Sequence, residues 1–228
     1  MAGHIESSKN IDWTTPQWVV DALKLVFTDG RIALDPCSNP HSIVKAEVEY
    51  MLSKGNDGLK DSWNAPSVYV NPPFGVCYVN VEKDSVLTPK EYRRLTKGTK
   101  EYTPTAEDIA FATSHRRTDI KMWLQRCTDA NKDHDSEVVA LIPAAVDTAH
   151  WQKNIFKTAS AVCFPKGRMK FGVPPPPEGI SEVEKAKWPK AGPAPMATAL
   201  VYWGENVTAF FNAFEKYGTV INLRSTRR

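Results

Sequence analysis

The residues Asn71-Pro72-Pro73-Phe74 directly follow an apolar run, Val68 to Val70, and bring a side-chain amide, a carbonyl and an aromatic ring to one turn. An amino group attached to a heteroaromatic ring is a poor nucleophile, because its lone pair is delocalised into the ring. Hydrogen bonds from its two N–H groups to the Asn71 side-chain oxygen and the Pro72 carbonyl would stabilise the charge that develops as it attacks. The four residues therefore contain the groups needed to methylate a ring amine.

The same turn is expected to be stiff and to carry a flat surface. Each proline fixes its own φ angle, and the residue before a proline is held extended. Phe74 would stack on a base that has left the duplex, because the amine of a paired base is inaccessible inside the helix. For these four residues alone, a strand followed by a proline-rich turn without a chemical role is an equally good interpretation.

Further segments precede and follow this turn in a definite order. Together with it, they resemble the phage-type DNA N6-adenine methyltransferases over most of residues 11–75 and 119–204. The segments are Trp13-Thr14-Thr15-Pro16, Leu34 to Pro40, Asp57-Gly58-Leu59 with Trp63, Val138 to Ala144, Gly167 to Phe171 and Ala199 to Trp203. The ordered set is far more specific than any one of its members.

The resemblance implies S-adenosylmethionine as cofactor and DNA as substrate. It implies cofactor contacts at Thr15, Pro16, Asp35, Pro36, Cys37, Asp57 and Leu59, a catalytic element at Asn71, Pro72, Pro73 and Phe74, and a second aromatic wall of the base pocket at Phe171. The turn after Asp35 departs from the glycine-rich turn of most S-adenosylmethionine enzymes. No residue is an obvious ligand for the cofactor's ribose, since Glu47 and Glu49 are the only acidic residues between Asp35 and Asp57.

Charge is unevenly distributed along the chain, although the formal net charge is only +3. Residues 1–75 carry 6 basic and 9 acidic side chains, whereas residues 165–228 carry 10 basic and 5 acidic ones. This asymmetry suggests that the later part faces the phosphates of DNA. Candidate DNA contacts are Arg93, Arg94, Arg168 and Lys170. Lysines and arginines on a solvated surface would give the same counts.

The spacing of apolar residues predicts strands that alternate with helices, and hence an α/β protein with a largely parallel sheet, helices on both faces and ligands at the carboxyl ends of the strands. The resemblance implies that this is a Rossmann-like sheet of the S-adenosylmethionine-dependent methyltransferase type. Helices are expected after Thr15 as N-cap and near 118–131, 148–159 and 207–217; strands are expected at 32–35, 68–71, 138–143, 161–164, 197–203 and 219–223. Only 35 residues lie between Asp35 and Asn71. Two strand-helix units need more, so the sheet is expected to be abbreviated near the cofactor site.

Composition predicts one globular domain over residues 1–228, with 42% hydrophobic and 24% charged residues. An insertion is expected at 75–117 and a stiff proline-rich loop at 173–195. The scattered cysteines and histidines suggest no metal site. Because there is no membrane-spanning apolar run and no signal peptide at the N-terminus, a cytoplasmic location without a membrane partner is expected.

These patterns together predict a DNA methyltransferase that modifies the N6 amine of a flipped adenine. Three alternatives stay open. Methylation of cytosine at N4 uses the same chemistry, and a protein glutamine is a further compatible acceptor. A catalytically inactive DNA-binding relative would keep much of the same sequence.

Overall fold

The computed structural model of this protein describes residues 14–176, 178–188, 192–194 and 196–226. Its helices are α1 (Gln17–Val26), α2 (Pro89–Lys97), α3 (Ala106–Thr113), α4 (Ile120–His134), α5 (Glu182–Ala186) and α6 (Val207–Phe214). Its strands are β1 (Leu34–Asp35), β2 (Val48–Glu49), β3 (Ser67–Val70), β4 (Cys77–Asn80), β5 (Ser85–Leu87), β6 (Arg116–Thr118), β7 (Glu137–Pro143), β8 (Ala161–Pro165), β9 (Lys170–Phe171), β10 (Gly192–Pro193), β11 (Thr198–Trp203) and β12 (Gly218–Asn222).

The main sheet has seven strands in the order β2-β1-β3-β7-β11-β8-β12. Strand β1 pairs in parallel with β2 and β3, and β3 pairs in parallel with β7. Strand β11 is antiparallel to both β7 and β8, and β12 is antiparallel to β8. Five strands, β1, β2, β3, β7 and β8, therefore end at one side of the sheet, which we call the carboxyl edge.

Helices cover both faces of this sheet, which confirms the predicted α/β architecture. Successive side chains of a strand point to opposite faces. Tyr69 and Val139 accordingly pack with α1 and α6 on one face, whereas Val68 and Val138 pack with α4 on the other. Burial on both faces explains why these strands read as continuous apolar runs instead of an alternating pattern.

The interval between β1 and β3 holds little regular structure. It contains only the two-residue strand β2 and a single 3-10 turn, Leu52–Lys54. No α-helix separates β1 from β2 or β2 from β3. This short connection places the ends of β1, β2 and β3 side by side at the carboxyl edge.

A second, three-stranded antiparallel sheet, in the order β5-β4-β6, occupies most of the segment that had no predicted elements. Helices α2 and α3 pack against each other beside it. Each begins with a capping box, in which Thr88 pairs with Glu91 and Thr105 with Asp108. The rings of Tyr78 and Tyr92 stack with centroids 3.7 Å apart and join α2 to β4. We call β4, β5, β6, α2 and α3 the small subdomain.

The structure corrects the predicted N-cap of α1 and shortens a second predicted helix. Thr15 is not the N-cap of α1, because the cap position is Pro16, which offers no side-chain acceptor. The residue before a proline is held extended, and the Thr15 hydroxyl turns inward instead. The helix predicted at 148–159 is present in a shorter and irregular form: residues 149–155 are helical, and Trp151–Ile155 form a π-helix in which the side chains of Trp151 and Ile155 are buried.

The proline-rich segment 173–195 is not extended throughout. Helix α5 lies within it and begins with a capping box formed by Ser181 and Glu184. Strand β10 near its end pairs with β9. Pro177, Pro189 and Pro195 lie outside the described residues, as does Trp13.

Candidate active site at the carboxyl edge

The turns after β1 and β3 meet at the carboxyl edge. Because the two strands are parallel neighbours, Asp35 and Asn71 both stand where the chain leaves the sheet. The Cys37 thiol lies within hydrogen-bonding reach of the Asn71 backbone. Burial raises the pKa of this thiol, and the Asp35 carboxylate raises it further. The structure thus brings together the predicted cofactor turn and the predicted catalytic turn.

Asp35 and Glu49 form a pair of neighbouring carboxyl groups. They are register partners in the parallel pair β1–β2. Asp35 is buried and accepts a hydrogen bond from the Cys37 N–H at 3.0 Å. Burial raises the pKa of Asp35 to about 7, and the charge of Glu49 adds to the shift. The Glu49 Oε1 atom is buried and accepts no hydrogen bond from the described residues, so it is available to a ligand that carries hydroxyl or ammonium donors.

Sequence reasoning did not select Glu49 over Glu47. The structure separates them, because Glu47 is exposed and pairs with Arg31 at 2.7 Å, whereas Glu49 turns toward Asp35. In the sequence, only the position of Glu49 directly after the apolar residue Val48 sets it apart. A two-residue strand is too short for a hydrophobic period to reveal it.

Thr15 contributes to the site from the start of α1. Its hydroxyl lies 3.0 Å from the Tyr69 hydroxyl, and both side chains are buried. Burial raises the pKa of Tyr69, and the nearby Asp35 and Cys37 contribute to the rise. Tyr69 therefore stays a neutral phenol and connects Thr15 with the turn after β1. Pro16, which follows, is half-buried at the surface of this region.

The turn at Asp57 to Leu59 packs directly on the turn after β1. A Cβ atom on Gly58 would lie 1.9 Å from the Pro36 carbonyl oxygen, so the two backbones touch. The Asp57 carboxylate accepts a hydrogen bond from the Leu59 N–H at 3.0 Å. Its second oxygen accepts one from the Arg116 guanidinium of β6 at 2.6 Å. Asp57 thus shapes the turn while already paired with a cation.

The catalytic candidates are exposed to ligands to different degrees. Pro72 is buried, Asn71 and Phe74 are half-buried, and Pro73 is exposed. Within the described part of the chain, the Asn71 side-chain amide forms no hydrogen bond, and the Pro72 carbonyl accepts none. Both acceptors in the predicted amine-binding pair therefore remain available to a substrate.

The aromatic rings of Phe74 and Phe171 are in direct contact. Their ring centroids are 6.1 Å apart and their planes cross at 71°. This is an edge-to-face contact, which leaves no gap for a third ring between the two. A planar ligand would therefore stack on the outer face of Phe74, with Phe171 supporting the ring from its edge.

A backbone bridge holds Phe171 in place. Thr14 and Gly172 exchange two hydrogen bonds of 3.0 Å, so the segment before α1 pairs with the segment after β9. A Cβ atom on Gly172 would lie 2.1 Å from the Thr14 hydroxyl. The cofactor candidates Thr15 and Pro16 are therefore tied to the aromatic pair.

The basic candidates lie in two separate places. Arg93 is exposed on α2, and the Arg94 guanidinium lies over the Tyr102 ring at 4.4 Å, so both belong to the small subdomain. Arg168 and Lys170 are exposed at the carboxyl edge, just beyond the end of β8. Lys170 is adjacent to Phe171, which places this second pair nearer to the aromatic rings.

No protein-family model, curated protein or solved structure matches this chain. Among the described residues, no three His, Cys, Asp or Glu side chains converge as a metal site. None of the helices in the described part of the chain is long and apolar enough to cross a bilayer.

Proposed function

We propose that this protein is an S-adenosylmethionine-dependent DNA methyltransferase that modifies the N6 amine of an adenine flipped out of the duplex. One observation carries the proposal: the Asn71 amide and the Pro72 carbonyl stand without partners among the described residues, in a region that also holds an aromatic pair and the carboxyl pair of buried Asp35 and half-buried Glu49. Two hydrogen-bond acceptors beside an aromatic side chain are complementary to an amino group attached to a flat ring. The carboxyl edge of a parallel sheet is also where ligands bind in α/β proteins.

Asn71 and Pro72 would act on the reacting nitrogen. Each accepts one N–H of the amine, which reduces delocalisation of the nitrogen lone pair into the ring and stabilises the positive charge that develops on it. The amide stands on a turn stiffened by two prolines, so it needs little reorganisation at the moment of reaction. Phe74 would hold the base by stacking, supported by Phe171.

The carboxyl edge fits a cofactor of this chemistry. Glu49 offers a buried oxygen that needs a donor, which the ribose hydroxyls would provide. Asp35, whose pKa is raised by burial, would be stabilised in its ionised form by a neighbouring cation such as an ammonium or sulfonium group. Thr15, Cys37 and the turn at Asp57 to Leu59 enclose this region. When bound, S-adenosylmethionine supplies the electrophilic methyl group.

DNA would reach this site through a flipped nucleotide, because the amine is inaccessible inside the duplex. The cationic side chains of Arg168 and Lys170 near Phe171, and of Arg93 and Arg94 on the small subdomain, are suited to phosphates. On this proposal the main sheet is a Rossmann-like methyltransferase sheet, abbreviated between β1 and β3, and the small subdomain is an insertion that contacts DNA.

The decisive experiment is transfer of labelled methyl groups from S-adenosylmethionine to a panel of DNA duplexes and single strands, followed by mass spectrometry of the nucleosides. We expect N6-methyladenine. Detection of N4-methylcytosine instead would identify cytosine as the methyl acceptor. DNA binding without cofactor binding or methyl transfer, measured by calorimetry and gel retardation, would assign the protein to inactive DNA-binding relatives.

A further inference from the structure

A cleft of about 320 Å³ lies at the carboxyl edge, between the start of α1 and the end of β8. This is near the lower end of the range for small-molecule sites, about 300–1,000 Å³. Its lining residues are Pro16, Trp18, Pro165, Lys166, Arg168, Met169, Lys170 and Tyr217. The cleft therefore combines apolar walls with three cations.

Two aromatic rings form one part of the wall. Trp18 and Tyr217 are both half-buried, with ring centroids 4.3 Å apart and planes inclined by 34°. Phe214 supports Trp18 edge-on at 6.4 Å from within the core. The Lys216 ammonium lies 4.9 Å from the centre of the Tyr217 ring. The rings are therefore held in position and half-buried, and a base that stacks on Tyr217 would displace the exposed Lys216 side chain from its ring.

The cations stand on a turn that is anchored at both ends. The Lys166 N–H donates to the Tyr217 carbonyl at 2.8 Å, and the Ala194 N–H donates to the Met169 carbonyl at 2.7 Å. Lys166, Arg168 and Lys170 are exposed. None of them forms an ion pair within the described ranges, and no aspartate or glutamate is among the described lining residues. The charge of this cleft is therefore uncompensated.

The cleft shares two segments with the candidate active site. Pro16 follows Thr15, whose hydroxyl contacts Tyr69. On the opposite side, Lys170 precedes Phe171, whose ring contacts Phe74. A chain of nucleotides with one base on Phe74 would thus have a neighbouring unit within reach of the cleft.

We propose that this cleft binds an unpaired nucleotide next to the target base, with the base against Trp18 and Tyr217 and the phosphate on Lys166, Arg168 and Lys170. That the neighbouring base is a target of methylation rests on the proposed function, whereas the binding of an unpaired nucleotide does not. Aromatic side chains stack on bases that are not paired in a duplex, and basic side chains follow the backbone. An anionic protein segment would satisfy the cations but would not require the rings.

The test measures affinity for a labelled single-stranded oligonucleotide and for the matching duplex by fluorescence anisotropy over a range of salt concentrations. Two variants probe the cleft: Tyr217→Leu for stacking, and Lys166→Ala combined with Lys170→Ala for binding of phosphates. A matched control, Lys153→Ala combined with Lys157→Ala, removes two exposed lysines from another part of the surface. Thermal unfolding of each variant verifies that it is folded.

We expect Tyr217→Leu to weaken single-strand binding about fivefold to 150-fold, as loss of one stacked base does, with an unchanged salt slope. The lysine pair should lower the log–log salt slope by about 0.7 for each single-strand phosphate that the variant no longer neutralises. The control pair should change neither. Equal losses for strand and duplex in Tyr217→Leu, or tighter binding of an acidic peptide than of the oligonucleotide, would overturn the proposal.

Methyl transfer measured on the same variants separates this inference from the proposed function. If the wild type methylates adenine and both cleft variants bind the oligonucleotide as tightly as the wild type does, the proposed nucleotide site is refuted and the proposed methyltransferase function is supported. If the cleft variants bind the single strand more weakly but the wild type transfers no methyl group, the proposed nucleotide site is supported and the proposed methyltransferase function is refuted.

Discussion

Arg116 on β6 donates a hydrogen bond to the Asp57 carboxylate at 2.6 Å and so joins the small subdomain to the turn that packs on Pro36. The exposed Lys60 ammonium lies farther away, at 3.8 Å from the same oxygen. The guanidinium is thus the principal partner of a largely buried carboxylate. A displacement of β6 would act on the turn after β1 through this hydrogen bond and the packing of Gly58 on Pro36.

Arg116→Gln should lower the free energy of unfolding by about 1–3 kcal/mol, because a charged hydrogen bond is removed and Asp57 remains buried. It should also weaken binding of S-adenosylmethionine. Arg117→Gln is the matched control, since Arg117 is its neighbour and forms an exposed ion pair with Asp119, which is expected to contribute less than about 1 kcal/mol. Urea unfolding and calorimetry measure both effects; identical behaviour of the two variants would contradict the coupling.

Asn71→Ala should reduce methyl transfer by at least about a hundredfold, the scale for removing one transition-state hydrogen bond. Its affinity for S-adenosylmethionine should stay near that of the wild type. Asn71→Asp should retain part of the activity, because a carboxylate also accepts N–H donors. Asn212→Ala, on the exposed side of α6, is the control and should be fully active. Full activity of Asn71→Ala in single-turnover assays would refute the assigned role.

Phe74→Ala should weaken capture of the flipped base by about 1–3 kcal/mol while leaving cofactor affinity nearly unchanged. Phe74→Tyr should be tolerated, because the ring face is preserved. Fluorescence of 2-aminopurine at the target position reports the flipped state. Phe211→Ala, which removes an exposed ring on α6, should behave as the wild type. Equal brightening with wild type and Phe74→Ala would show that the base does not stack there.

Gly58→Ala should destabilise the protein by about 1–3 kcal/mol, the usual range for overpacking. The added methyl group would meet the Pro36 carbonyl oxygen at 1.9 Å and the Trp123 ring at 2.9 Å. Separation of the two turns should also weaken cofactor binding. Gly75→Ala is the control for stability, because nothing lies within 4 Å of its added Cβ. Thermal unfolding distinguishes the two substitutions.

The Asp35 carboxyl group should make stability depend on pH. Burial raises its pKa to about 7, with Glu49 adding to the shift, so the native state favours the neutral form. Its contribution to stability is complete below about pH 4 and is lost as the pH rises through 7. Asp35→Asn should therefore exceed the wild type in free energy of unfolding at pH 8 by up to about 4 kcal/mol, and match it near pH 4.

The control for this pH dependence is Asp133→Asn, which changes an exposed residue of α4 and should give a constant difference from the wild type. Urea unfolding across pH 4 to 8 checks both variants. A pH-independent difference for Asp35→Asn would contradict the raised pKa. Cys37 and Tyr69, which also lie near Asp35, have raised pKa values and stay neutral in this range.

The strands were predictable where burial leaves a strong signal. The apolar runs at Val68 to Val70 and Val138 to Ile142 are buried on both faces of the sheet, and the turn residue Asn71 follows directly. Helix α4 was predictable from apolar residues at helical spacing. The position of Asn71 relative to Asp35 then followed from parallel pairing.

The rest depended on interactions between distant parts of the chain. Arg116 and Asp57 are 59 residues apart, and neither residue indicates its partner. Threonine is a common N-cap residue, but Pro16 takes the cap position of α1. The Thr15 hydroxyl forms a hydrogen bond with the Tyr69 hydroxyl instead. In the small subdomain, strands of three or four residues are too short for a recognisable period.

The position of β11 in the main sheet has a consequence for synthesis. Both neighbours of β8, which are β11 and β12, leave the ribosome after it. The parallel group β1, β3 and β7 can associate early, whereas β8 waits with two open edges, and such edges pair readily with other chains. A nascent chain that stalls before residue 198 therefore leaves the apolar strand β8 without either neighbour and open to pairing with other chains until β11 is synthesised.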